Sequence, residues 1–191
     1  MRRRAFRGSA DAPLDAAGCL PTAEPPLQSL TRAKSLLKMQ ALFLMMEKTM
    51  AFTDIESLLP HRKPFLFVDT IESYDENGCV CTRKFTEEDF FFKGHFPEYP
   101  VVPGVILIET MAQGGGAALS LQKKFDEGSL FFLATVNNVK FKHQVRPGDT
   151  VRMEVVNKRC TKNMVVQEGK AYVGETLCAQ AEWMCLVGKG N

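Results

Sequence analysis

What this 191-residue chain lacks narrows its function before any motif is read. No apolar run is expected to reach the 18 or so residues that span a membrane, so no membrane association is expected. No second Cys or His pair stands at zinc-ligand spacing beside Cys79 and Cys81, which argues against a structural zinc and predicts no metal site. Gly114-Gly115-Gly116 is followed by no Lys-Ser/Thr and follows no strand, so it is not a phosphate loop. No internal repeat is visible. Charge is also sparse where it would matter. Residues 1–49 hold 8 Lys/Arg and 4 Asp/Glu, whereas the remaining 142 residues hold 16 and 18. The folded part is therefore slightly acidic, which disfavours nucleic acid as a partner. The six cysteines read as reduced thiols of a cytosol-like compartment.

Two regions follow from composition. Residues 1–49 form an N-terminal extension. Its first thirty are rich in Ala, Pro and Arg and read as disordered, while residues 31–46 could form an amphipathic helix with Thr31 as cap. Three origins stay open: an over-extended translation start, an organelle-targeting segment, or a native tail. Residues 50–191 carry globular patterning. We expect a short helix over 54–60, a strand over 65–75, an Asn77-Gly78 hairpin turn and a return strand over 79–86. After a loop over 87–103 comes one long buried helix over 104–124. A strand or strand pair over 129–142 and three strands over 150–160, 164–173 and 175–188 complete an antiparallel meander. The class is α+β, a sheet wrapped around a central helix.

The chemistry concentrates in GHFPEYPVVPGVILIETMAQ, residues 94–113. Glu109 sits among Val105, Ile106, Leu107, Ile108, Met111 and Ala112, where ionisation is costly unless the carboxylate is paired. A carboxyl kept protonated near neutral pH is what a general acid requires. Gln113, one turn on, could orient it. His95 has the chemistry of a general base. Gly104 opens the helix, where backbone N–H groups lack intrahelical partners and could bind a developing oxyanion. Taken singly, Glu109 could instead face solvent and His95 could be a surface or interface histidine. The glycine triplet could mark loose packing, a close helix approach, or room for an acyl chain or partner helix. His61 and His143 read as structural or surface residues.

LLPHRKPFLFVD (58–69), residues 94–113, and VKFKHQVRPGD (139–149) together resemble the hotdog-fold 3-hydroxyacyl-[acyl-carrier-protein] dehydratases of type II fatty acid synthesis. The resemblance spans roughly residues 52–188. It implies a hotdog fold and a homodimer, with a trimer of dimers as a further assembly. It implies that His95 of one subunit works with Glu109 of the other. Gly104 would supply the N–H to the thioester carbonyl, and Gln113 would support Glu109. Glu rather than Asp at 109 favours the plain dehydratase over the dehydratase/isomerase branch. The chain departs from the family at Thr135-Val136-Asn137, where Gly-Ile-Asp is common, and at Gln144, where Pro usually stands.

The implied reaction is a hydro-lyase step in the cytoplasm, or in an organelle if the extension targets one. It converts a (3R)-3-hydroxyacyl thioester on acyl carrier protein to the trans-2-enoyl thioester, with no cofactor. The carrier protein is acidic, and Lys140, Lys142 and Arg146 are candidate contacts. A hotdog acyl-thioester hydrolase and a non-catalytic acyl-binding subunit are the other readings.

Overall fold

In the computed structural model the described residues are 51–189. The expected extension over 1–49, its helix over 31–46 and Cys19 lie outside them. Six strands form one antiparallel sheet: β1 (Thr70–Asp75), β2 (Gly78–Lys84), β3 (Ser129–Phe141), β4 (Thr150–Thr161), β5 (Met164–Val173) and β6 (Thr176–Lys189). Their spatial order is β1-β2-β4-β5-β6-β3. The long helix, α1 (Gly104–Leu121), packs on β1, β2, β4, β5 and β6. The hotdog architecture and the α+β class follow from this wrapping.

Alternation along the strands explains the wrap. In β4, Val151, Met153 and Val155 turn inward; in β6, Ala179, Ala181, Trp183 and Cys185 do so. Period-2 burial of this kind marks a sheet with one face on the core. From Ile106 to Leu119 α1 is buried nearly all round, as its sequence implies. Its 18 residues, with a mean hydropathy of 1.2, do reach the length and apolarity of a membrane span, contrary to expectation. Here the sheet takes the place of lipid: Met111, Ala117 and Leu119 are sealed against it. The first two glycines of the triplet serve close approach. A Cβ on Gly114 would fall 2.3 Å from Cys81 Sγ, and one on Gly115 2.4 Å from Gln167 Oε1. Contact with the sheet offsets the roughly 1 kcal/mol each glycine costs a helix.

Four local expectations need correction. Residues 54–60 give only a 3-10 turn, Ile55–Ser57. β1 starts at Thr70 rather than at residue 65, because the preceding backbone bonds elsewhere: Phe67 N–H donates to Gln113 Oε1 at 2.8 Å. The hairpin loop is Glu76-Asn77, and neither residue has positive φ. Asp75 Oδ1 organises it by accepting the N–H of Asn77 at 2.8 Å and of Gly78 at 3.1 Å. Gly78 belongs to β2, where a Cβ would lie 1.9 Å from Val155 O; the glycine serves strand approach and not the turn. The loop over 87–103 holds a second 3-10 turn, Phe90–Lys93.

β3 is one strand, bent by register shifts at Leu133/Thr135 and Asn137/Lys140, with Asn138 at φ 54°. It is a thirteen-residue edge strand exposing Phe132, Leu133, Val139 and Phe141. A long apolar edge of this kind is a template for pairing with another chain.

Candidate active site

The loop after β2 is anchored before it reaches His95. Arg83 donates to Asp69 Oδ1 at 2.8 Å and to Asp89 Oδ1 at 2.6 Å, with its side chain 15% exposed. Asp89 Oδ2 also accepts the Thr86 N–H at 2.8 Å, and the 3-10 turn starts directly after Asp89. From that turn, Phe91 O accepts the His95 N–H at 2.8 Å. A largely buried arginine that bridges two carboxylates through charge-assisted hydrogen bonds holds this turn in place.

His95 Nδ1 lies 2.9 Å from Val101 O. A carbonyl oxygen can only accept, so Nδ1 carries the proton and Nε2 of the neutral ring is left with its lone pair. The ring stacks on Phe96 at 4.2 Å between centroids, and the His95–Phe96 peptide is cis. Val102 N–H donates to Val145 O at 2.8 Å, which ties this loop to the segment after β3.

Pro103 precedes α1, and its carbonyl accepts from Ile106 at 2.9 Å. The N–H groups of Gly104 and Val105 therefore have no intrahelical acceptor. They lie at the positive end of the helix dipole, equivalent to about half a charge. A cavity of about 540 Å³ brings this helix start to His95, together with Leu107, Phe141, Lys142 and Val145. His95 and the start of α1 thus line one largely apolar recess. The Phe141 ring packs on Gly104, 2.7 Å from where a Cβ would stand.

Glu109 does not line that cavity. It is half-buried, with its side chain 23% exposed, rather than sealed as its neighbours suggest. Gln113 Nε2 donates to Glu109 Oε1 at 3.0 Å and to Phe65 O at 3.0 Å, while Gln113 Oε1 accepts from Phe67 N–H. Gln113 is 2% exposed and uses both ends of its amide, so the supporting role foreseen for it has matching geometry. His61, read from sequence as structural or surface, approaches the same carboxylate: its Nε2 is 3.7 Å from Glu109 Oε1. One chain thus brings His95 and Gly104 together at one place and Glu109, Gln113 and His61 together at another.

The three candidate carrier contacts do not form one cluster. Lys142 alone of them lines the cavity. Lys140 borders a separate recess with Asn138, Glu168 and Lys170. Arg146 is engaged within the chain: it donates to Tyr99 Oη and to Gln144 Oε1 and lies over the Tyr99 ring at 4.4 Å. His143 is exposed. Sequence reasoning did not single out the Arg83–Asp89 ion pair or the approach of His61 to Glu109. His61 stood inside LLPHRKPFLFVD, but nothing in the sequence linked it to Glu109.

Comparison with known proteins defines first the class and then the family. A chain of the dehydratase heterocomplex ApeI:P from Xenorhabdus doucetiae superposes with a TM-score of 0.63 at 17% identity, covering 73% of this chain and 93% of that one, and so shares the fold. The chain belongs to the FabA-like domain family, which matches residues 59–182 and so spans every site residue described above. Among curated relatives, a 3-hydroxyacyl-[acyl-carrier-protein] dehydratase FabZ of Clostridium kluyveri is 41% identical over 140 residues, 72% of this chain and 96% of the relative. The protein of the same name from Caulobacter vibrioides is 40% identical over 136 residues, 70% of this chain and 86% of its own.

Proposed function

We propose that this protein is a hydro-lyase that dehydrates (3R)-3-hydroxyacyl groups on acyl carrier protein to trans-2-enoyl thioesters in fatty acid biosynthesis. The observation that carries the reading is the apolar cavity that brings His95, with its Nδ1 at the Val101 carbonyl, to the helix start at Gly104. Relatives named as such dehydratases, at about 40% identity over most of the chain, support it.

In this mechanism the Gly104 N–H receives the thioester carbonyl oxygen and stabilises the charge that develops there. His95 Nε2 takes the proton from carbon 2. As the bond from carbon 3 to oxygen breaks, Glu109 gives its proton to the departing hydroxyl and water leaves. After the enoyl product forms, His95 releases its proton to solvent and Glu109 takes one up from solvent, which restores both groups. Gln113 holds the carboxyl group in place throughout.

The acid comes from a second copy of the chain. Support comes from the absence of Glu109 from the lining of the His95 cavity and from the exposed apolar edge of β3, which offers the joining surface of a homodimer. The acyl carrier protein delivers the substrate on its phosphopantetheine arm, and Lys142 at the cavity is the best placed of the three candidate cations to meet its acidic surface. The cytoplasm suits the five cysteines among the described residues, all free thiols and four of them buried.

The test is turnover of 3-hydroxyacyl carrier protein by the purified protein, read as enoyl absorbance with free thiol monitored in parallel. Dehydration without thiol release is expected. Thiol release without dehydration would overturn the proposal in favour of hydrolysis, and neither product would leave an acyl-binding role. A dimer, alone or within a trimer of dimers, is expected by sedimentation; a catalytically competent monomer would overturn the shared site.

A further inference from the structure

His61 is not accounted for by the chemistry above, yet it stands against the proposed acid. Its Nε2 lies 3.7 Å from Glu109 Oε1, with the imidazole 29% exposed. Its Nδ1 is buried and has no hydrogen-bond partner among the described residues. The segment that carries it does more than pass by. Arg62 fixes the local backbone by donating to Leu59 O at 2.8 Å and to His61 O at 2.7 Å. A few residues on, Phe65 O and Phe67 N–H grip the Gln113 amide. The stretch from Leu59 to Phe67 therefore supplies the imidazole beside Glu109 and the backbone that holds its amide neighbour.

The choice of atoms is informative. Gln113 Nε2 donates to Oε1 of Glu109, and His61 Nε2 approaches that same oxygen. A lone pair on His61 Nε2 would face a lone pair on the acceptor and would leave an N–H stranded at buried Nδ1. A proton on Nε2 resolves both problems. The 3.7 Å separation exceeds a hydrogen bond, but contacts of catalytic groups are often long without substrate and tighten when it binds. Cys185 of β6 stays a neutral thiol because burial, and secondarily Glu109, push it up to about 11. Arg62 faces Glu56 at 3.8 Å.

We propose that His61, in its Nε2–H form, is a positioning residue that acts as the second donor to Oε1 of Glu109. With two donors on Oε1, the carboxyl proton resides on Oε2, which becomes the atom that gives it up. This rests on the reading of Glu109 as the acid, and it adds a residue that decides how productively the acid is presented.

Two measurements test it. In steady-state dehydration, His61→Ala lowers kcat on the order of tenfold, with KM within about twofold of wild type. His61→Gln, whose amide can still donate, recovers part of that loss, and unchanged melting temperatures separate this result from unfolding. Wild-type kcat in His61→Ala overturns the proposal. The second measurement needs no activity. The chain has three histidines, so ring-nitrogen NMR of histidine-labelled protein resolves each one. His61 is expected as the Nε2–H tautomer in wild type and as a mixture in Glu109→Ala. An Nδ1–H form, or one indifferent to Glu109, overturns the pairing. If wild type fails to dehydrate, the functional reading fails alone and the tautomer still decides the contact.

Discussion

The two half-sites of one chain are built in opposite ways. His95 stands on a loop and is held by backbone groups: Val101 O accepts from its Nδ1, Phe91 O accepts from its backbone N–H, and the Arg83–Asp89 contact anchors the turn before it. Glu109 stands on the rigid core helix and is held by side chains, Gln113 directly and His61 at longer range. A base that must reach carbon 2 benefits from one fixed tautomer and one free nitrogen, and a carbonyl partner delivers that. An acid that must give up a proton benefits from donors on one oxygen only. Under the proposed mechanism each group has, within its own chain, the kind of partner its chemistry would use.

Breaking either half is expected to give the largest effects. His95→Ala and Glu109→Gln each lower kcat by roughly 10²–10⁴-fold, the usual worth of a positioned acid or base, while the protein remains folded and dimeric. Gly104→Ala comes next. The new Cβ meets only the exposed Phe141 ring, which can swing away, so the fold survives. The crowded donor costs on the order of 10²-fold in kcat by the same steady-state assay.

Gln113→Leu probes the helix half more gently. It removes the donor to Glu109 and strands Phe65 O and Phe67 N–H, so both activity and stability fall, the latter by about 1–3 kcal/mol in urea titration. Trp183→Ala is the contrast. Trp183 is fully buried in the core and donates to Gln167 Oε1 at 3.2 Å. About 3–5 kcal/mol of stability should go, with kcat kept in the remaining folded protein. The smallest effect is at the cavity mouth. Lys142→Glu raises KM for the acyl carrier protein about threefold at low salt, and the difference shrinks as ionic strength rises. Arg146→Glu changes KM less, because Arg146 is already spent on Tyr99 and Gln144.

Much of this was legible in the sequence where the signal is local. Alternation in β4, β5 and β6 and the all-round apolarity of α1 read directly as a sheet around a helix, and Gln113 follows Glu109 by one turn. What was hidden depends on distant partners. The Phe65–Phe67 backbone looks like strand because its apolar residues fit one, yet its bonding partner is Gln113, 46 residues away. His61 is an ordinary histidine until the fold delivers Glu109 to it. The Asn77-Gly78 pair carries a hairpin signature, but strand crowding at Val155 claims the glycine and Asp75 organises the turn. Arg83 and Asp89 resemble any other surface charges until both meet in one ion pair.

The claim that the halves meet across two chains is tested most directly by complementation. His95→Ala and Glu109→Gln carry different affinity tags, are co-expressed, and only the doubly tagged heterodimer is assayed. In that species one site holds both lesions and the other holds none, so the account predicts about half of wild-type turnover from two inactive parents. A verified heterodimer as inactive as its parents would contradict it, because His95 and Glu109 would then have to belong to the same chain.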